Sequence, residues 1–348
     1  MDFILNGNAT GPVAGRLIQN GFDPHCMRPY LDAQGRSCIT VMNNGKPTKM
    51  VVANADAVLR KDDWLTIDRA IVKVAKPRLK AFGDLRGAGL SYTIPNGMSK
   101  TVLETEVISD ITPAQISMDG ITEGDNDRPA FDLLNLPLPI IHKDFNYTAR
   151  QVMASRNGGS PLDTSSAELA ARRVAETVEQ MTIGTLQNYS FGGGTIYGYT
   201  NFPNRITTSI TQPTTTNQQT TVNELLAMKR AAFAASQFGP FNVYCGLDWD
   251  PYMDGDYSDQ YGGKTLRQRI GDINGFTEPM TLDYLPGYDL ILVQQTSDTA
   301  RAVVGMDITT LQWETKGGMQ LNFKVMAILV PQLRADYNGQ CGIVHGTV

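Results

Sequence analysis

Few residues in this chain are spaced for covalent or metal chemistry. Its histidines are His25, His142 and His345, and apart from the adjacent pair His25-Cys26 none has a histidine or cysteine at metal-ligand spacing. Asp254-Gly255-Asp256-Tyr257-Ser258-Asp259 has the look of a calcium loop. That loop needs Gly at its sixth position and Glu at its twelfth, and here those positions hold Asp259 and Thr265, so a solvated, turn-rich loop is the better reading. Gly192-Gly193-Gly194 is not followed by the Lys and Ser/Thr of a phosphate loop, and no GxSxG nucleophile elbow occurs. The three glycines read as a flexible link. Cys26, Cys38, Cys245 and Cys341 form no CxxC pair and read as free thiols of a reducing compartment. No catalytic residue, cofactor site or metal ligand is therefore expected, and the chain is not read as an enzyme.

One charged pattern is regular. Arg69, Lys73, Lys76 and Lys80 fall at steps of four, three and four, which stacks them along one face of a helix. An ordinary solvated face explains this; so does a stripe that neutralises the phosphates of enclosed DNA without reading its sequence. A formal net charge of -5 argues against a surface given over as a whole to nucleic acid.

The elements that carry these residues follow from periodicity. The 348 residues are 41% hydrophobic and 19% charged, enough for one elaborated domain or two with a packed core. Residues 1–60 read as an extended arm with a hairpin around Asn43-Asn44-Gly45. Asp62 and Asp63 stand where an N-cap belongs, and Trp64, Ile67, Ile71 and Val74 recur at helical spacing until Pro77. Residues 100–107 and 115–118 read as strands of a long β arm, a structure too marginal in water to stand without a surface to lie on. Ser165-Ser166-Ala167-Glu168 fits a capping box opening a long helix to about Leu186, with an apolar stripe of Ala167, Ala170, Ala171, Val174, Val178 and Met181. Residues 207–221 read as an exposed polar loop, and Thr221-Val222-Asn223-Glu224 as a second capping box. Strands are expected near 241–245, 289–293, 299–304 and 319–329. Long helices with irregularly spaced strands predict an α+β fold. The start of the chain lacks the charged leader and apolar core of a signal peptide, and the longest apolar run, Val325 to Val330, is far short of a membrane span.

The order of these segments carries a resemblance. The helix with Trp64-Leu65-Thr66-Ile67-Asp68 and Val74-Ala75-Lys76-Pro77-Arg78-Leu79 comes first, then the β arm. Pro137-Leu138-Pro139-Ile140-Ile141-His142-Lys143-Asp144-Phe145 leads from the arm into the long helix. Asp289-Leu290-Ile291-Leu292-Val293, Val304-Gly305-Met306-Asp307-Ile308 and Phe323-Lys324-Val325-Met326-Ala327-Ile328 close the chain. Together these resemble the encapsulin and linocin-like branch of the Hong Kong 97 capsid fold of tailed bacteriophages.

The resemblance implies an N-terminal arm (1–60), an N-terminal helix region (61–88), an extended loop lying on a neighbouring subunit (89–130), and a peripheral domain with a spine helix (131–190). It also implies an axial domain (191–310) and strands returning to the peripheral domain (311–348). Asp254, Asp256, Asp259 and Tyr261 would then sit on a loop facing the capsomer axis. The implied function is a major capsid protein that assembles with itself, as pentamers and hexamers, into an icosahedral shell around double-stranded DNA. Portal, scaffolding and cement proteins are the further partners implied, with no membrane, in a virion put together in the host cytoplasm. The alternative is an encapsulin nanocompartment enclosing a cargo enzyme. Residues 1–60 and the Thr-rich stretch depart from encapsulins and suit a viral shell better.

Overall fold

The computed structural model describes residues 28–43, 46–51, 59–95, 97–112, 114, 116, 118, 128–157, 163–214, 217–257 and 263–348. In chain order the elements begin with β1 (Tyr30–Leu31), β2 (Ser37–Asn43), β3 (Lys46–Val51), α1 (Lys61–Ala75), α2 (Ala81–Gly87) and β4 (Ser91–Thr93). There follow β5 (Val102–Ile108), β6 (Phe131–Pro137), β7 (Ile141–Thr148), α3 (Ala149–Asn157), α4 (Ser165–Ile183), β8 (Tyr189–Phe191), β9 (Gly194–Ile196) and β10 (Ile206–Ser209). The chain ends with α5 (Gln218–Ala234), β11 (Phe241–Cys245), α6 (Asp250–Met253), α7 (Leu266–Gly271), β12 (Met280–Thr281), β13 (Leu290–Gln294), β14 (Ala300–Thr315), β15 (Gln320–Leu333) and β16 (Ile343–Thr347). Two compact units emerge: described residues up to Thr101 with Leu138–Thr182 and Ala302–Pro331, and Val102–Pro137 with Ile183–Arg301 and Gln332–Val348. The mixture of helix and sheet is the α+β class the sequence predicts.

In the first unit, α1 forms because Trp64, Ile67, Ile71 and Ala75 repeat at three and four residues and are all buried. Full burial of each large side chain contributes about 1.5–3 kcal/mol. Trp64 meets Phe323 edge-on at 5.8 Å, and Phe323 stacks on Phe145 at 5.1 Å, so α1 is fixed on the four-stranded sheet β4-β14-β15-β7. Arg28 lies over the Trp64 ring and pairs with buried Asp68 at 2.6 Å, which pins the described start of the chain to the same helix. The expected hairpin around Asn43 is present, with Cys38↔Val51 through Asn43↔Lys46 in register.

The helix starts differ from the sequence reading. Arg60 is the N-cap of α1, and Asp63, one turn in, accepts the Arg60 amide at 2.9 Å. α4 is capped one step earlier than the box at Ser165: the Asp163 carboxylate accepts from the Ser165 amide at 3.0 Å, and the Thr164 hydroxyl donates to Glu168 at 3.1 Å. The helix stops at Ile183 rather than 186, because Gly184 at φ +98° turns the chain out. All six predicted stripe residues of α4 are buried.

In the second unit, the sheet β10-β16-β13-β11-β12 carries one large core on a single face. Leu225, Met228 and Ala232 of α5 pack there with Trp249, Leu266 and Ile270 against Val243, Leu292 and Val344. α5 begins at Gln218, before the Thr221 box, and Glu224 of that box instead accepts the Thr211 amide at 2.9 Å. Two parts of the sequence reading are corrected here. Thr207–Ser209, taken into the polar loop, belong to strand β10, parallel to β16. The closing residues 311–348 do not stay together: β16 pairs with β13, Leu290↔Gly346 through Val293↔Ile343.

Candidate assembly surface

The β arm is a two-stranded ribbon, β5 with β6, in register from Val102↔Pro137 to Ile108↔Phe131. Its return strand is therefore Phe131–Pro137, not residues 115–118; of the latter only 116 and 118 are described, and neither is in a strand. Directly opposed residues share a face, so Ile108, Phe131, Glu106, Leu133, Glu104 and Asn135 lie on one side. Ile108, Phe131 and Leu133 there are 54%, 63% and 60% exposed. At the root, Leu103 and Leu136 on the opposite face are both buried. An arm whose root is packed and whose outer half shows large apolar side chains to water is built to be covered.

A short hairpin, β8 with β9, stands against this root. Gly192 and Gly193 form its turn with φ +60° and +77°, and the Asn135 side-chain amide donates to the Gly192 carbonyl at 2.9 Å. The glycine run is a packed turn, not the flexible link that its sequence suggested.

The basic stripe is partly realised. Arg69 and Lys73 are exposed on α1, and Lys76 continues the same path with helical φ and ψ of -58° and -46°. Lys80 leaves it: Leu79 breaks the helical path at φ -92°, ψ 77°, and Lys80 is the half-buried N-cap of α2.

In the second unit, Arg267 ties down the start of the 254–263 loop. Its guanidinium donates from Nε to Asp254 at 2.8 Å, from Nη2 to Asp250 at 2.8 Å and from Nη1 to the Pro279 carbonyl at 2.5 Å. Thr265 caps α7 through a reciprocal box with Gln268. Asp256 sits at the neck of the loop, bridged to Thr265 by the backbone. With one carboxylate oxygen engaged by Arg267, Asp254 anchors the start of the loop. Asp259 and Tyr261 lie outside the described residues. The sequence reading did not find the Asn135 and Arg267 contacts; the acidic pair Asp250 and Asp254 was the available signal for the second.

His345 is also built in structurally. It faces Asp289 through Nε2 at 3.1 Å and accepts from Arg205 through Nδ1 at 3.3 Å. Because arginine only donates, Nδ1 carries no proton and Nε2 donates to the carboxylate.

No curated protein matches the sequence. Solved structures do match it in shape. A virus-like particle from Pyrococcus furiosus superposes with a TM-score of 0.57 at 15% identity, covering 81% of this chain and 98% of its own. The capsid of Myoviridae phage XM1 gives 0.59 at 8%, covering 76% and 91%, and the capsid of a native GTA particle gives 0.53 at 9%, covering 77% and 90%. These likenesses give the chain the Hong Kong 97 capsid fold, as the order of segments suggested. A family model of unknown function, DUF6260, matches residues 53–346, and the chain belongs to that family.

Proposed function

We propose that this chain is the major capsid protein of a tailed bacteriophage, assembling with itself through pentamers and hexamers into an icosahedral shell around a double-stranded DNA genome. The observation that carries the proposal is the arm, whose outer face bears the large apolar side chains of Ile108, Phe131 and Leu133, all exposed among the described residues. Closed symmetric assembly supplies cover for them from a neighbouring copy, and many modest contacts per subunit add up to a persistent shell. The fold shared with the phage XM1 and GTA capsids supports the same reading. On this proposal residues 1–60 are the N-terminal arm, and the extended loop on a neighbour, expected at 89–130, includes the return strand Phe131–Pro137. The helix α4 is the spine, and the 254–263 loop faces the capsomer axis. The protein's role is structural and involves no catalysis.

The test is purification of the expressed chain as particles, imaged in negative stain. Closed shells with nuclease-protected DNA are the expected result. Shells that co-purify with an enzyme instead would favour a nanocompartment, and no shells at all would end the assembly reading. The paired change Phe131→Ser and Leu133→Ser should leave a folded, soluble subunit and abolish closed particles; normal particles from it would remove the arm from the interface.

Arg69, Lys73 and Lys76, with Lys80 beside them, are proposed to face the packaged DNA. Charge reversal of the four should shorten the packaged genome while empty shells still form, and full-length packaging would return the stripe to a plain solvated face.

A further inference from the structure

The run Gly192-Gly193-Gly194 contains two requirements. Gly192 and Gly193 have positive φ, so the tight hairpin turn needs them. Gly194 does not have positive φ, and the turn places no such demand on it. What Gly194 meets is the arm: a Cβ built there would lie 2.0 Å from the Asn135 carbonyl oxygen and 2.6 Å from its carbon. A Cβ on Gly192 would lie 2.6 Å from a methyl of Val102, the first residue of β5. The hairpin thus presses its bare backbone on both strands of the arm at their root.

Beyond the root the arm is loosely held. A cavity of about 660 Å³ separates Thr105, Val107 and Leu134 of the arm from Arg334, Ala335 and Tyr337, and the Gln332 side chain crosses it to Thr105 at 2.9 Å. An isolated two-stranded ribbon is marginal in water, so its direction is set by whatever touches its base. At ~3.4 Å per residue the seven-residue strands project roughly 24 Å, and an ångström of displacement at the root becomes several at the tip.

We propose that the β8–β9 hairpin is a stop that sets the angle at which the arm leaves its unit, with Gly194 the positioning residue. The proposal deepens the assembly reading and rests on it for its consequence: a subunit with a mis-set arm no longer matches its neighbour, so closure or shell diameter fails.

The experiment compares full-length wild type, Gly194→Ala, Asn135→Ala and Gly87→Ala. Gly87 has nothing within 4 Å of its would-be Cβ and serves as control. Hydrogen exchange reads the β5 and β6 amides, and electron microscopy reads shell yield and diameter. Gly194→Ala should raise arm exchange roughly tenfold, leave exchange in β11 and β13 unchanged, and give few or mis-sized shells. Asn135→Ala removes the hydrogen bond to Gly192 without adding bulk. It should raise arm exchange by a smaller factor, and it decides the matter if Gly194→Ala fails to fold. Arm exchange and shells like those of wild type in the variants would overturn the stop. If wild type forms no shells yet Gly194→Ala still loosens the arm, the stop stands and the assembly reading falls.

Discussion

Arg86→Ala should cost the subunit about 3–5 kcal/mol, the penalty for stranding one charge of a buried pair. Arg86 on α2 donates from Nη1 to Asp307 on β14 at 2.6 Å, and the two side chains are 14% and 5% exposed. Removing the guanidinium leaves the Asp307 carboxylate, only 5% exposed, without its ion-pair partner. Arg86→Ala combined with Asp307→Asn should recover much of the loss, because the second change removes the charge that the first left without its partner. Urea denaturation of the full chain measures both variants. A loss under ~1 kcal/mol for Arg86→Ala would mean that the pair behaves like a surface ion pair. The stakes are structural: this contact joins α2 to the sheet on which α1 also rests.

The Arg86–Asp307 pair shows what the sequence could not reveal. Its partners lie far apart along the chain, and nothing local marks Arg86 from any other helical arginine. The same holds for Gly194 and Asn135. A glycine triplet reads as a link until the carbonyl it touches is known. Local signals fared better. Trp64, Ile67 and Ile71 announced α1, and the alanine-rich stripe of α4 announced a buried face, because periodicity of 3.6 is a property of the segment itself. The hairpin at Asn43 followed from its turn residues. Caps were misplaced by one to four residues where two candidates competed: Asp163 took the Ser165 amide, and Glu224 was drawn to Thr211. Strand β10 was missed because its threonines were read as a polar tract, when as β-branched residues they suit the strand that β16 requires. The arm's return strand was missed since 115–118 offered a nearer partner than Phe131–Pro137. For the assembly surface, the arm as an element was legible, but which of its faces is bare came only from the register.

Glu179→Gln should flatten the subunit's loss of stability between about pH 4.5 and pH 7. Glu179 lies in the middle of the buried face of α4 and is 2% exposed; its two oxygens accept the Ala81 and Phe82 amides at 2.7 and 3.3 Å, where α2 begins. Burial raises its carboxyl to about 7 against the two amides, which favour the charged form, and the nearby Asp84 adds to the rise. The direction of the effect follows from proton counting. Between ~4.5 and 7 the folded chain holds this proton and the unfolded chain has released it, so stability falls as pH rises. The contribution is complete below the unfolded value and gone above the folded one, a difference of ~3 kcal/mol at 1.36 kcal/mol per unit. Glutamine keeps an acceptor oxygen for one amide and never ionises. The difference between wild type and variant, measured by urea denaturation across that range, should therefore move in favour of the variant as pH rises. Parallel curves would show that Glu179 is ionised in the folded chain throughout, with the two amides outweighing burial. The contact between α4 and the start of α2 should therefore contribute more to stability in mild acid than at alkaline pH.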